Sequence, residues 1–148
     1  MNKSELAVLK FKDGYNCSQS VLVTFAEELQ LDRNVALKIA NGFGGGMGRT
    51  QEVCGAVSGG IMVLGLLFGR GENEGKEKQE FLYSKVQELI NEFTKIESTV
   101  NCKDLLSGCN LLTESGQKQF KEKLLIDRCY SYVKLVCEII KKMIGKDL

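Results

Sequence analysis

The stretch from Val53 to Gly69, VCGAVSGGIMVLGLLFG, decides the fold, because it runs for seventeen residues without a charge. A run of that length lies at the lower edge of a membrane span. It contains five glycines and Ser58, and Glu52 and Arg70 close its ends. Gly55 and Gly59 stand four residues apart, as do Ala56 and Gly60, and Gly65 and Gly69. Residues at that spacing share a helical face, and small ones make flat strips on which another helix packs closely. The expectation is a buried, Gly-rich central helix in a bundle, without stable membrane insertion.

Working outward, Gly42 to Arg49 reads GFGGGMGR, with five glycines in seven positions. Each glycine costs about 1 kcal/mol against alanine inside a helix, so this is a loop that needs positive φ or close backbone approach. It lacks the Lys and Ser/Thr of a phosphate-binding loop, and no strand precedes it. Thr50 is available to cap the helix that follows. Gly44, Gly45, Gly46 and Arg49 are the candidate cofactor- or anion-binding group, since free amides and a guanidinium there favour negative charge.

The flanks are helical throughout. Lys3 to Asp13 reads as a short amphipathic helix with Leu6 and Leu9 inward, ended by Gly14. Asn16 fits an N-cap for a helix from Cys17 to about Leu29. Asp32 caps Arg33 to Ala40, with Val35, Leu37 and Ile39 available to pack. Lys76 to Ser98 is the clearest long helix, with Leu82, Val86, Leu89, Phe93 and Ile96 on one face and Glu74 placed to pair with Lys78. Cys102 to Leu106 is one helical turn closed by Gly108. Thr113 caps Glu114 to Leu125. Arg128 to Ile144 carries Tyr132, Val133, Val136, Ile139, Ile140 and Met143 inward. No β-branched alternation appears. Residues 1–148 are expected to form a single cysteine-rich, all-α, compact multi-helix domain.

Composition narrows the chemistry. Twenty Lys and Arg against nineteen Asp and Glu give a net charge of +1, too little for a nucleic-acid binder. His, Pro and Trp are absent. Without His there is no Ser-His-Asp or Cys-His pair and no imidazole ligand for zinc. Six cysteines in 148 residues are too sparse for a disulfide scaffold. The start, Met1 to Leu6, turns amphipathic at once with no apolar stretch, so the expected location is cytoplasmic. No CxxC occurs, which sets aside thioredoxin-type and ferredoxin-type motifs.

Thiols therefore carry the candidate chemistry. Cys54 follows the glycine loop at the start of the buried helix, where the dipole and free amides are expected to lower its pKa. Cys17 begins another helix behind Asn16, and Cys102 begins a short turn. Cys129 and Cys137 lie on one face of the last helix, roughly 12 Å apart along its axis. A disulfide needs Cα atoms within about 7 Å, so these two cannot bridge. Four thiolates from dispersed cysteines are an alternative that suits zinc or an iron–sulfur cluster.

The chain resembles the C_GCAxxG_C_C family of small redox-active proteins. The resemblance rests on Gly14-Tyr15-Asn16-Cys17-Ser18-Gln19-Ser20-Val21, on Gly42 to Arg49, on Cys54-Gly55-Ala56-Val57-Ser58-Gly59, on Cys102 to Leu106 and on Cys129 to Val133. It implies that Cys17, Cys54, Cys102 and Cys129 are the functional cysteines, with Cys109 and Cys137 as extras. It also implies redox activity, or a bound metal or cluster. Some relatives carry a haem-bearing domain. This chain has neither CxxCH nor His, so no covalent c-type haem is expected.

Three functions follow. The first is thiol–disulfide exchange or electron transfer with a redox protein partner, with Cys54 attacking, Cys17 resolving, and Cys102 and Cys129 as a second pair. The second is a metal or iron–sulfur protein ligated by Cys17, Cys54, Cys102 and Cys129. The third is a structural or interaction domain with packed cysteines.

Overall fold

The computed structural model describes the backbone of residues 1–147 and the side chains of residues 1–145. It is an all-α bundle. Its segments are α1 (Lys3–Lys12), α2 (Cys17–Ala26), α3 (Arg33–Asn41), α4 (Gly44–Met47), α5 (Gly55–Phe68), α6 (Lys76–Glu97), α7 (Cys102–Leu105), α8 (Glu114–Glu122) and α9 (Ile126–Asp147). Among the described residues no helix is long and apolar enough to cross a membrane.

Local chemistry sets the helix starts. Asn2 and Asn16 each close a capping box, with Glu5 and Gln19 reaching back to the cap amide. Asp32 accepts from the Val35 amide at 3.0 Å. Thr113 accepts from the Gly116 amide at 2.9 Å. Glu74 pairs with Lys78, as their spacing predicts. Thr50 does not cap α5: its hydroxyl donates to the Met47 carbonyl at 2.8 Å, and the chain runs on to Cys54, which is itself the N-cap.

The first nine residues of α5 include six that are buried without a break, Gly55 to Gly60. Its glycines let neighbours approach. A Cβ built on Gly59 would stand 2.7 Å from the Ser18 carbonyl oxygen of α2. One built on Gly60 would stand 2.7 Å from Val136 of α9. The core around α5 includes Leu22, Phe25, Leu64, Leu89, Phe93, Val133, Val136 and Ile140, all buried. Phe93 and Tyr132 meet edge to face at 5.9 Å between ring centroids, joining α6 to α9.

Three sequence expectations are corrected. In α1 the inward residues are Ser4 and Ala7, and Leu9 is exposed. In α3 they are Ala36 and Ala40, with Val35 and Ile39 exposed. Ile96, on the last turn of α6, is also exposed. In the short helices α1 and α3 the contact face is the one whose small side chains allow close approach, so alanine displaces the larger apolar residue from the interface, whereas α6 buries Leu89 and Phe93 and leaves Ile96 at its end outside the core. The other boundaries shift by a few residues: α2 ends at Ala26, α8 at Glu122, and α9 starts at Ile126.

Two backbone features gather the site. The turn from Gly45 to Gln51 is left-handed at Gly45, Gly46, Met47, Gly48, Arg49 and Gln51. Gly46 is required there twice over, by its φ of 65° and because a Cβ would stand 2.7 Å from the Cys102 Cβ. The second feature is an isolated antiparallel bridge between Val53 and Asn101. The Cys54 amide donates to Val100 and the Cys102 amide to Glu52, each at 2.7 Å. This bridge lays the starts of α5 and α7 side by side.

Candidate functional site

Cys17, Cys54, Cys102 and Cys129 all line one cavity of about 120 Å³. They come from four separate segments. Cys17 is the first residue of α2, Cys54 caps α5 and Cys102 is the first residue of α7. Cys129 lies in the first turns of α9. The remaining wall is mostly apolar: Phe11, Leu105, Leu106, Leu111, Phe120 and the ring of Tyr132. All six cysteines are free thiols. Cys109 and Cys137 stand apart from the cavity. The Cys109 thiol donates to the Gly116 carbonyl at 3.1 Å, and Cys137 is buried in the main core.

Cys17 sits where the pieces meet. A Cβ on Gly55 would overlap the Cys17 Sγ, so the missing side chain makes room for that sulfur against the first residue of α5. Burial raises its pKa, and the amides of Gly45, Ser18 and Ala56 act in the opposite sense by favouring the thiolate. A charge on Cys17 also raises the pKa of Cys54, Cys102 and Cys129 alike. Cys17 is thus near all three. It is partly exposed, as is Cys129, while Cys54 and Cys102 are buried.

The expected lowering at Cys54 is corrected. Burial pushes this thiol well above its ordinary pKa, and the neighbouring Cys17 adds to the rise, against weaker help from the Val57 and Ala56 amides. Burial likewise lifts Cys102 to about 11 and Cys129 to about 12. A helix start favours a thiolate by a fraction of what desolvation in an apolar cavity costs it. At neutral pH the cavity holds thiols.

The metal expectation is corrected too. Among the described residues no group of three or more His, Cys, Asp or Glu side chains is arranged to hold a metal ion. Cys17, Cys54, Cys102 and Cys129 line one cavity, but they do not form the three- or four-ligand group that zinc or an iron–sulfur cluster demands.

The glycine loop lies at the rim. Gly45 and Gly46 line the cavity, with the Gly45 amide facing the Cys17 sulfur. The Asn16 side chain packs over Gly44, with its Cγ 2.6 Å from where a Cβ would stand. Asn16 also donates to the Asn41 carbonyl at 2.8 Å, tying the start of α2 to the end of α3. Arg49 is exposed and lines an adjoining groove, outside the thiol cavity.

Gln51 had no signal in the sequence, and Tyr132 was legible only as an inward residue of the last helix, which its burial bears out. Gln51 is buried, donates to the Cys109 carbonyl at 2.7 Å and accepts from the Leu111 amide at 2.9 Å. It also favours the Cys102 thiolate by hydrogen bonding. The Tyr132 hydroxyl donates to the Leu105 carbonyl at 2.9 Å, and burial pushes its pKa up to about 12. Both side chains fix the segment after Cys102. Neither set of hydrogen bonds follows from local sequence, because each side chain finds its partner only through the tertiary fold.

The raised thiol pKa values predict a loss of stability in alkali. An unfolded cysteine titrates near 8.5, whereas Cys129 and Cys137 in the fold titrate at about 12. Between those values the folded chain holds protons that the unfolded chain has released, so stability falls as pH rises. It is fully present below the unfolded value. Each such thiol contributes about 1.4 kcal/mol of loss per pH unit. Under reducing conditions, urea midpoints from pH 8 to 10.5 should fall less steeply in Cys137→Ala than in the parent. Equal slopes would show that Cys137 titrates normally.

A model of the family described as "Putative redox-active protein (C_GCAxxG_C_C)" matches residues 15–143. An uncharacterized protein of Archaeoglobus fulgidus is 27% identical over 114 residues, covering 72% of this chain and 76% of that protein. No solved structure matches.

Proposed function

Because the chain belongs to the C_GCAxxG_C_C family of redox-active proteins, we propose that its cavity is a thiol–disulfide exchange centre in which Cys17 and Cys54 form the reacting pair. The observation that carries this is the lining of one apolar cavity by four free thiols from four segments, with one sulfur ringed by amides. α5 acts as the buried, Gly-rich central helix on which the pair is built. Gly45 and Gly46 shape the rim in place of binding a cofactor.

The roles expected from sequence are exchanged. Cys17 attacks, because it is partly exposed and faces the Gly45, Ser18 and Ala56 amides. Cys54 resolves, because it is buried beside it. The Cys17 thiol loses its proton to solvent, and its thiolate attacks one sulfur of a disulfide. One new S–S bond forms, the old one breaks, and the leaving thiolate takes up a proton. The Cys54 thiol then gives up its proton as its sulfur attacks the Cys17 sulfur, and the second substrate sulfur leaves as a thiolate that takes up a proton, leaving a Cys17–Cys54 disulfide. Two electrons have passed from the pair to the substrate. Cys102 and Cys129, both near Cys17, form the second pair, which takes over the oxidation by the same exchange. A reducing compartment, the cytoplasm, suits this cycle, with a redox protein partner or small thiol restoring the dithiol.

The test is a count of native thiols after reaction with hydroxyethyl disulfide, a small neutral oxidant. Thiols should disappear in pairs, with Cys109 and Cys137 spared. Six native thiols that remain unreactive would exclude exchange and leave a packing role for the cysteines.

A further inference from the structure

An open groove of about 540 Å³ adjoins the thiol cavity. The two share Phe11, Asn16, Gly45, Leu111 and Phe120 as a common wall. The charged residues lining the groove are Arg49 and Lys121, and no carboxylate lines it among the described residues. Both cations are exposed, and neither has an ion-pair partner among the described residues. A net charge of +1 over the whole chain makes this local excess a matter of placement.

Gly45 connects groove to thiol. A Cβ built there would stand 3.0 Å from the Arg49 Cγ, so the arginine stem lies against this glycine. The Gly45 amide faces the Cys17 sulfur. One residue therefore touches both the cation's stem and the sulfur that attacks.

Size and polarity divide the two spaces. A dry cavity of about 150 Å³ accepts a benzene-sized apolar group, so one of about 120 Å³ takes the methylene and sulfur end of a small disulfide. It rejects a carboxylate, whose burial without a partner is costly. The groove offers that carboxylate two unpaired cations and open water.

We propose that the groove and cavity together select low-molecular-weight disulfides bearing carboxylates, with the disulfide sulfur at Cys17 and the carboxylate on Arg49 and Lys121. This rests on the exchange chemistry above and names its substrate class. The disulfide is reduced to two carboxylate-bearing thiols as Cys17 and Cys54 are oxidised, one S–S bond replacing the other, with the two thiol protons passing to the products.

Three aliphatic probes test it: dithiodipropionate as dianion, hydroxyethyl disulfide as neutral, and cystamine as dication. Each rate on the full chain is divided by that of free cysteine in the same buffer, which removes intrinsic reactivity. At low salt the normalised dianion-to-dication ratio should reach about tenfold and shrink as salt is added. It should drop several-fold in Arg49→Gln and in Lys121→Gln, two exposed positions that can be compared separately. A ratio near one in the parent, with the neutral probe reacting, overturns the substrate class alone. No reaction with the neutral probe overturns the exchange chemistry and the substrate class with it.

Discussion

Cys17→Ser should abolish reaction with hydroxyethyl disulfide, slowing the first adduct by about 100-fold or more, whereas Cys54→Ser should form that adduct and then hold it. The difference follows from position. Cys17 combines partial exposure with the amides of Gly45, Ser18 and Ala56. Cys54 is buried, and burial keeps it protonated, so it is a poor first nucleophile. It is well placed for the second step, because the Cys17 sulfur lies against Gly55, its chain neighbour. Without Cys54, only Cys102 or Cys129 remains to displace the adduct, and its lifetime should lengthen about tenfold. Intact-mass spectrometry follows both steps. An adduct that forms at the parent rate in Cys17→Ser would reassign the attacking thiol.

Gly55→Ala should damage both fold and chemistry. The added methyl overlaps the Cys17 sulfur and stands 2.8 Å from the Phe43 carbonyl oxygen. The sulfur can rotate away, but the backbone oxygen cannot move without shifting the glycine turn. Overpacking of this kind costs about 1–3 kcal/mol, and alanine's better helix propensity recovers at most about 1 kcal/mol. Exchange at Cys17 should slow as well, because its sulfur is driven from the α5 start. Gly65→Ala is the control on the same helix. Nothing lies within 4 Å of its Cβ, so it should stabilise by up to about 1 kcal/mol. Chemical denaturation of the two variants should move in opposite directions. A Gly55→Ala protein as stable and as reactive as the parent would show that α2 and α5 tolerate a wider spacing at the thiol pair.

These two glycines also show what the sequence can and cannot reveal. The small-residue spacing of 53–69 marks α5 as a helix made for close packing. It does not distinguish Gly55, which touches a sulfur, from Gly65, which touches nothing. The thiols were legible through their place behind Asn16 and behind the glycine turn. Their protonation was not, since helix starts argue for thiolates and only the folded cavity shows how fully they are desolvated. The exposed Leu9, Val35 and Ile39 mark a similar limit. A three-turn helix has too few apolar residues to define one face, and Ala7, Ala36 and Ala40 take the close contacts. The pairing of Val53 with Asn101 had no signal, because a single bridge between distant loops has no periodicity. Yet it is what sets Cys54 beside Cys102.

The most direct measurement is the position of the first disulfide. The native protein would be treated with one equivalent of hydroxyethyl disulfide, quenched in acid, alkylated and digested, and its cross-linked peptides identified by mass spectrometry. The predicted first product joins Cys17 to Cys54, with any Cys102–Cys129 link appearing later. A first disulfide that excludes Cys17, or none at all, would contradict the assignment of Cys17 and Cys54 as the reacting pair.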